Sequence, residues 1–136
     1  MILTFADAAV EPLWHGLSFS LSRGEFLAVL GPNGVGKSTL LGTILGTRKL
    51  TAGSVTATDR VGFIPQQRMF PRDLPVRGRD LVSLALSHRG RVPKGDVDKQ
   101  LAHVGALEFA DQRVGLLSGG QQQLIRQAQA FAQEPE

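Results

Sequence analysis

The chain has no cysteine and no tyrosine among its 136 residues. Without cysteine, disulfides, zinc–thiolate sites and thiol nucleophiles are excluded, and a cysteine-free chain suits a reducing compartment. No apolar run approaches the roughly 18 residues needed to cross a bilayer, so a role at a membrane has to come through a partner. The opening MILTFADAAVEP lacks a basic region and carries Asp7 and Glu11, so it does not read as a signal peptide. Strong charge is missing too. Fifteen basic and 12 acidic residues leave a net +3, too mild a balance to argue for nucleic acid. The basic residues are spread out, apart from Arg68 to Arg91, a stretch that reads as solvated, irregular surface. Apolar residues make up 42% of the chain, which supports a packed core. The length is that of one small domain or a piece of a larger one.

Hydrophobic patterning predicts an α/β core followed by a mostly helical segment. Ile2 to Phe5 and Leu17 to Leu21 are short β-prone runs, and Ser22-Arg23-Gly24 is a turn signal. Phe26 to Leu30 is continuously apolar and bounded by glycines. Such a run suits a strand buried on both faces, as in a parallel sheet. Leu40, Leu41, Ile44 and Leu45 fall at helical spacing, with Gly46 as the C′ residue. Val55 to Thr58 and Val61 to Ile64 read as two more strands, the second ended by Pro65. Beyond Pro71 the pattern turns helical. Leu81, Leu84 and Ala85 share a face within Asp80 to Ser87, and Gly90 to Gly95 is loop. Val97, Leu101 and Val104 form a second stripe, with Asp96 as candidate N-cap. A last helix is expected from after Ser118 to about Ala132. No internal repeat or low-complexity tract is visible.

Between the apolar run and the first helix lies Gly31-Pro32-Asn33-Gly34-Val35-Gly36-Lys37-Ser38, which fits G-x-x-x-x-G-K-[ST]. The motif requires a strand before it and a helix after it, and the pattern predicts both. Glycines let backbone N–H groups approach phosphate oxygens without a Cβ in the way. The helix start adds unpaired donors and a positive dipole end. Lys37 then reaches the β- and γ-phosphates, Ser38 Oγ ligates Mg²⁺, and Thr39 contacts the α-phosphate. The expected ligand is ATP with Mg²⁺.

Leu116-Leu117-Ser118-Gly119-Gly120-Gln121 is a second glycine-rich turn. Ser118 can N-cap a helix, and the glycines free the backbone to approach a ligand. With both motifs in hand, the chain resembles the ATP-binding subunits of ABC transporters. Ser118 to Gln121, with Leu117, looks like their signature motif, 81 positions after Lys37. Gln66, in VGFIPQQ, matches the family's Q-loop glutamine, and Gln67 is the alternative in that register. The resemblance covers essentially the whole chain. It implies a P-loop NTPase core of the ABC ATPase type at residues 1–68, a helical subdomain at 69–117, and a signature motif with its helix at 118–136. It further implies that two such subunits, identical or closely paralogous, pack head to tail. ATP would then lie between the P-loop of one and Ser118 to Gln121 of the other. Gln66 would touch Mg²⁺ or the attacking water. Transmembrane permease subunits would hold the protein at the inner face of the cell membrane, and nucleic acid is not an expected partner.

The sequence departs from the family in three places. The apolar strand ending in Asp-Glu, which should follow the signature helix and carry the hydrolytic carboxylates, does not occur before Glu136. None of His15, His88 or His103 stands at the family's switch position. The expectation is therefore a C-terminally incomplete domain with no catalytic residue of its own, which binds ATP far better than it hydrolyses it. It would also expose apolar surface on the strands beside the missing one. Adenine usually stacks on an aromatic residue after the first strand. Trp14 is the only large aromatic there, with core packing as its other reading. Finally, Leu124 and Ala128-Gln129-Ala130 lack arginines common in relatives, which should weaken local ion pairs. Leu74 to Gly90 faintly resembles the matching segment of iron-chelate, cobalamin and zinc or manganese importers. A nucleotide-binding module without turnover is the alternative. Relatives acting in DNA repair or on ribosomes usually carry long insertions or tandem domains, and none is present here.

Overall fold

The computed structural model describes residues 1–66, 68–87, 90–93 and 95–136. They pack as two compact units, residues 1–59 with Glu136 and residues 60–135.

The first unit is a small antiparallel sheet with one helix. Strands β1 (Leu3–Val10), β2 (Trp14–Leu21) and β3 (Ala52–Ala57) stand in the order β2-β1-β3. The register opposes Phe5 to Phe19 on one side and to Val55 on the other. Their alternating side chains reach one face, where Phe5 and Phe19 stack with centroids 4.8 Å apart. Register shifts follow Phe5 and Ala8, and Asp7 takes a positive φ of 48° between them. The extra residue moves the buried phase of β1 from Leu3 and Phe5 to Ala8. Helix α1 (Lys37–Ile44) packs Leu40 and Ile44 into this core. It ends at Leu45 with Gly46 in the left-handed conformation at C′, as its spacing predicts.

Two predicted strands are not formed. Residues 26–30 and 61–64 have no regular structure, and Phe26 and Leu30 are 91% and 88% exposed. Nor is any parallel strand pair formed among the described residues. A strand buried on both faces needs neighbours on both edges, and no described strand pairs with residues 26–30. Phe26 and Leu30 therefore have their side chains largely in solvent.

The second unit is helical. Helices α2 (Gly78–Ser87), α3 (Asp96–His103) and α4 (Gly119–Phe131) surround Val82, Leu101, Phe109, Val114 and Ile125. Burying a side chain as fully as Leu101 contributes about 2–3 kcal/mol. Two sequence expectations shift here. Val82, which is not on the predicted face of Leu81, Leu84 and Ala85, is the fully buried side chain of α2, while Leu84 is 67% exposed. Asp96 is the first residue of α3, not its cap. Gly95 is the cap, and no side chain bonds there. Short 3₁₀ turns, Leu107–Phe109 and Val114–Leu116, carry the chain from α3 to α4. This connection lies against α2. Val114 N–H donates to Val76 O at 2.8 Å and Arg79 N–H to Ala110 O at 2.9 Å. At Gly115 an added Cβ would lie 2.0 Å from Pro71 O, so only glycine allows that approach.

Candidate functional site

The glycine-rich loop of residues 31–36 runs directly into α1, with Lys37 as the first helical residue. The Lys37 ammonium turns back over the loop and donates to Gly31 O and, at 2.8 Å, to Pro32 O. Gly36 caps the helix at φ 102°, where an L side chain is strained. An added Cβ would also meet the Trp14 indole at 3.0 Å. Glycine brings no side-chain acceptor, and no side chain caps α1. The first-turn N–H groups of a helix have no intrahelical partner. Here they converge with the Lys37 charge at one exposed loop. Ser38 is exposed at the second helical position, its hydroxyl available to a cation. Asn33, Gly34 and Val35 are exposed, and Thr39 is half-buried one residue on. Uncapped donors, a cation and a hydroxyl within three residues fit a phosphate chain with its Mg²⁺.

Trp14 stands beside this loop. Its ring meets Phe5 edge to face at 6.5 Å, and it walls an apolar cavity of about 170 Å³ with Leu17, Val29, Leu30, Val35 and Leu40. This is the packing reading of Trp14. Its indole Nε1 is buried with no hydrogen-bond partner among the described residues.

The second glycine-rich turn is built differently. Ser118 Oγ accepts from Gln121 N–H at 3.2 Å, and Gln121 Oε1 accepts from Ser118 N–H at 3.0 Å. This reciprocal pair is a complete capping box. Ser118 and Gly120 are exposed at the start of a 13-residue helix, with Gly119 and Gln121 half-buried. Gln66 is exposed in irregular chain, while Gln67 and His88 lie outside the described residues. His15 and His103 are exposed. Among the described residues no three His, Asp or Glu side chains cluster as metal ligands, and no helix is long and apolar enough to cross a membrane.

Sequence reasoning passed over two residues. Gln122 is buried, although it is polar. Its Oε1 accepts from Phe70 N–H at 2.9 Å, and its Nε2 donates to Leu117 O at 3.2 Å. Arg126, one turn on, lies over the Phe70 ring at 4.2 Å and donates from Nη2 to Arg68 O at 2.8 Å. The available signal was spacing: Gln122 falls on the same helical stripe as the buried Ile125, Ala128 and Ala132. A polar residue on a buried stripe needs a partner.

Residues 14–136 match the ABC transporter family. The manganese transport system ATP-binding protein MntB of Halalkalibacterium halodurans is 35% identical over 135 residues, which span 88% of this chain and 54% of that protein. The zinc import ATP-binding protein ZnuC of Cereibacter sphaeroides is 38% identical over 93% of this chain and 51% of its own length. The chain thus spans about half the length of the curated relatives it matches. Among solved structures, one of a metal-chelate type ABC transporter in an inward-facing conformation superposes with a TM-score of 0.78 at 28% identity, over 98% of this chain and 56% of that one. An ATP-binding subunit of an ABC transporter, 21% identical, shares the fold with a TM-score of 0.79, over 99% of this chain and 63% of that one. With its P-loop, its signature turn and a match over nearly all of its length, the chain belongs to the ABC transporter family, on the ATP-binding side that carries the P-loop NTPase fold.

Proposed function

We propose that this chain binds MgATP through Gly31 to Thr39 and serves as the ATP-binding part of a metal-ion importer. The observation that carries the reading is the uncapped start of α1, with the Lys37 ammonium folded onto the same loop. The loop N–H groups and Lys37 would hold the phosphates, and Ser38 would hold the cation. MgATP, when bound, supplies the free energy of phosphoryl transfer. Lys37 now donates to Gly31 O and Pro32 O, so it trades neutral carbonyl partners for charged phosphate oxygens on binding.

Ser118 to Gln121, at the start of α4, would face the nucleotide of a second copy or close paralogue. Gln66 would serve at the cation or the attacking water and answer to permease subunits. These roles, and a place at the inner face of a membrane, rest on the family resemblance. The metal-ion cargo rests on the manganese and zinc systems to which the matched relatives belong. Hydrolysis is the family's activity, but phosphoryl transfer needs a positioned carboxylate beyond the binding loop. No apolar run in these residues ends in Asp-Glu. Turnover by the 136 residues alone should therefore be negligible.

Trp14 is the only tryptophan and abuts Gly36, so its fluorescence reports the loop directly. Titration with MgATP should give a saturable change that Lys37→Ala removes. A flat titration with folded wild-type protein sinks the binding claim. Steady-state ATP hydrolysis that depends on Lys37 sinks the claim about turnover.

A further inference from the structure

Residues 68 and 70, shortly after Gln66, are tied to the helix that starts at the Ser118 turn by side chains that belong to neither motif. The Gln122 carboxamide spans from Phe70 N–H to Leu117 O, the residue before Ser118. Arg126 adds a second tie one turn along α4. Its guanidinium lies 4.2 Å over the Phe70 ring centroid and donates to Arg68 O. Chain positions 68 and 70 are thus fixed to one helix at two points.

A single hydrogen bond would let the segment pivot about α4. Two attachments a helical turn apart, with the Phe70 ring held under the second, remove that freedom. Arg126 Nε is buried without a hydrogen-bond partner among the described residues. A side chain kept only to fill space has no use for that unmet donor, since burying one is unfavourable. The guanidinium is therefore held where it is by what it gains elsewhere, the Phe70 face and the Arg68 carbonyl.

We infer that Gln122 and Arg126 form a latch that makes residues 68–70 and the start of α4 move as one body. A displacement at Gln66 then reaches Ser118 to Gln121 through this latch, with Arg126 as a positioning residue. The role of Gln66 in that relay rests on the proposed function; the latch itself does not.

The test is amide hydrogen exchange on these 136 residues as wild type, Arg126→Lys and Arg126→Leu. Lysine keeps a cation and a donor, while leucine keeps only bulk. Without nucleotide, Arg126→Leu should speed exchange at the Phe70 and Gln122 amides by about tenfold, and Arg126→Lys should stay within about threefold of wild type. The Leu101 amide, in the core, should not change. A wild-type rate at Phe70 in Arg126→Leu overturns the latch, as does lysine behaving like leucine. If Arg126→Leu fails to fold, Phe70→Leu removes the ring and should speed exchange at Gln122; no change there overturns the latch as well. With MgATP, the wild-type Phe70 and Gln122 amides should respond together, and in Arg126→Leu only Phe70 should respond. A Gln122 response that survives in Arg126→Leu overturns the relay. If Trp14 shows no MgATP binding at all, the proposed function fails, and the nucleotide-free arm still decides the latch.

Discussion

Helix α1 starts at Gly36, which offers its first turn no side-chain acceptor, and the Lys37 ammonium lies on the loop carbonyls. Helix α4 starts at Ser118, whose hydroxyl and the Gln121 carboxamide close a full capping box. Behind that box, Gln122 and Arg126 tie the helix to residues 68–70. Further back, Arg79 pairs with Asp111 at 2.8 Å and also with Asp98. Both turns are rich in glycine, and both read from sequence as places for phosphate. One is left open, and the other is tied at every level. An open turn keeps its donors for a ligand. A tied turn has used part of its donors on itself and holds its shape without one.

The largest expected effect follows from the open turn. Lys37→Ala should weaken MgATP binding by about a hundredfold or more, roughly 3 kcal/mol, because it removes a charged donor from the phosphates. Ser118→Ala should leave the affinity of a single chain within about twofold, since its donors are already engaged. Calorimetric titration of both variants checks this. Equal losses would break the distinction between the turns.

Next comes the backbone of the open turn. Gly36→Ala puts a Cβ at φ 102° and 3.0 Å from the Trp14 ring. The strain alone should be about 1–3 kcal/mol. Thermal unfolding followed by Trp14 fluorescence should shift down, and nucleotide affinity should fall with it. An unchanged midpoint would mean that the loop tolerates another conformation.

Much of this arrangement was legible in the sequence. The two helix starts were, because glycine, lysine and serine at fixed offsets state a local mechanism. Gly46 as C′ and Ser118 as cap rest on the same kind of local chemistry, and the structure has both. What was not legible depends on distant partners. Phe26 to Leu30 reads as a buried strand, yet no described strand pairs with it, and hydrophobicity alone cannot supply neighbours. Leu84 fits a helical stripe as well as Val82 does, and only the packing of α3 and α4 chooses between them. Asp96 has the right chemistry for a cap, but the helix begins one residue earlier. Gln122 and Arg126 were missed because their partners lie more than 50 positions back, at Phe70 and Arg68.

A smaller effect probes the tied turn. Ser118→Ala should destabilise residues 60–135 by about 1 kcal/mol through loss of the cap, and Ser118→Gly by only a few tenths. Helical ellipticity during urea unfolding measures both. If alanine has no effect, the capping box is incidental, and the tie rests on Gln122 and Arg126.

The smallest effect is electrostatic, and its sign can be derived. Hydrogen bonds from the Arg77 side chain and backbone hold Asp80 below the ordinary carboxylate range. A hydrogen bond from Arg79 does the same for Asp111. A carboxylate whose folded pKa lies below its unfolded value stabilises the fold at neutral pH. That contribution fades as pH drops below the unfolded value of about 4 and is gone below the folded one. Arg77 and Arg79 stay charged throughout, and Arg79 also faces Asp98 and acts on Asp80. These pairs are largely exposed, so each contributes little and is screened by salt. They brace the residues that lead into Ser118. Acidification from pH 5 to 3 should therefore speed amide exchange at Val114 and Gln122 before Trp14 fluorescence changes. In Arg79→Leu the same amides should exchange faster at pH 6, with a shallower dependence below pH 5, because the largest cause of the Asp111 shift is gone and only the weaker pull of Arg77 remains. Parallel pH profiles in wild type and Arg79→Leu would show that the tied turn owes its shape to the capping box and the latch, with no share from these ion pairs.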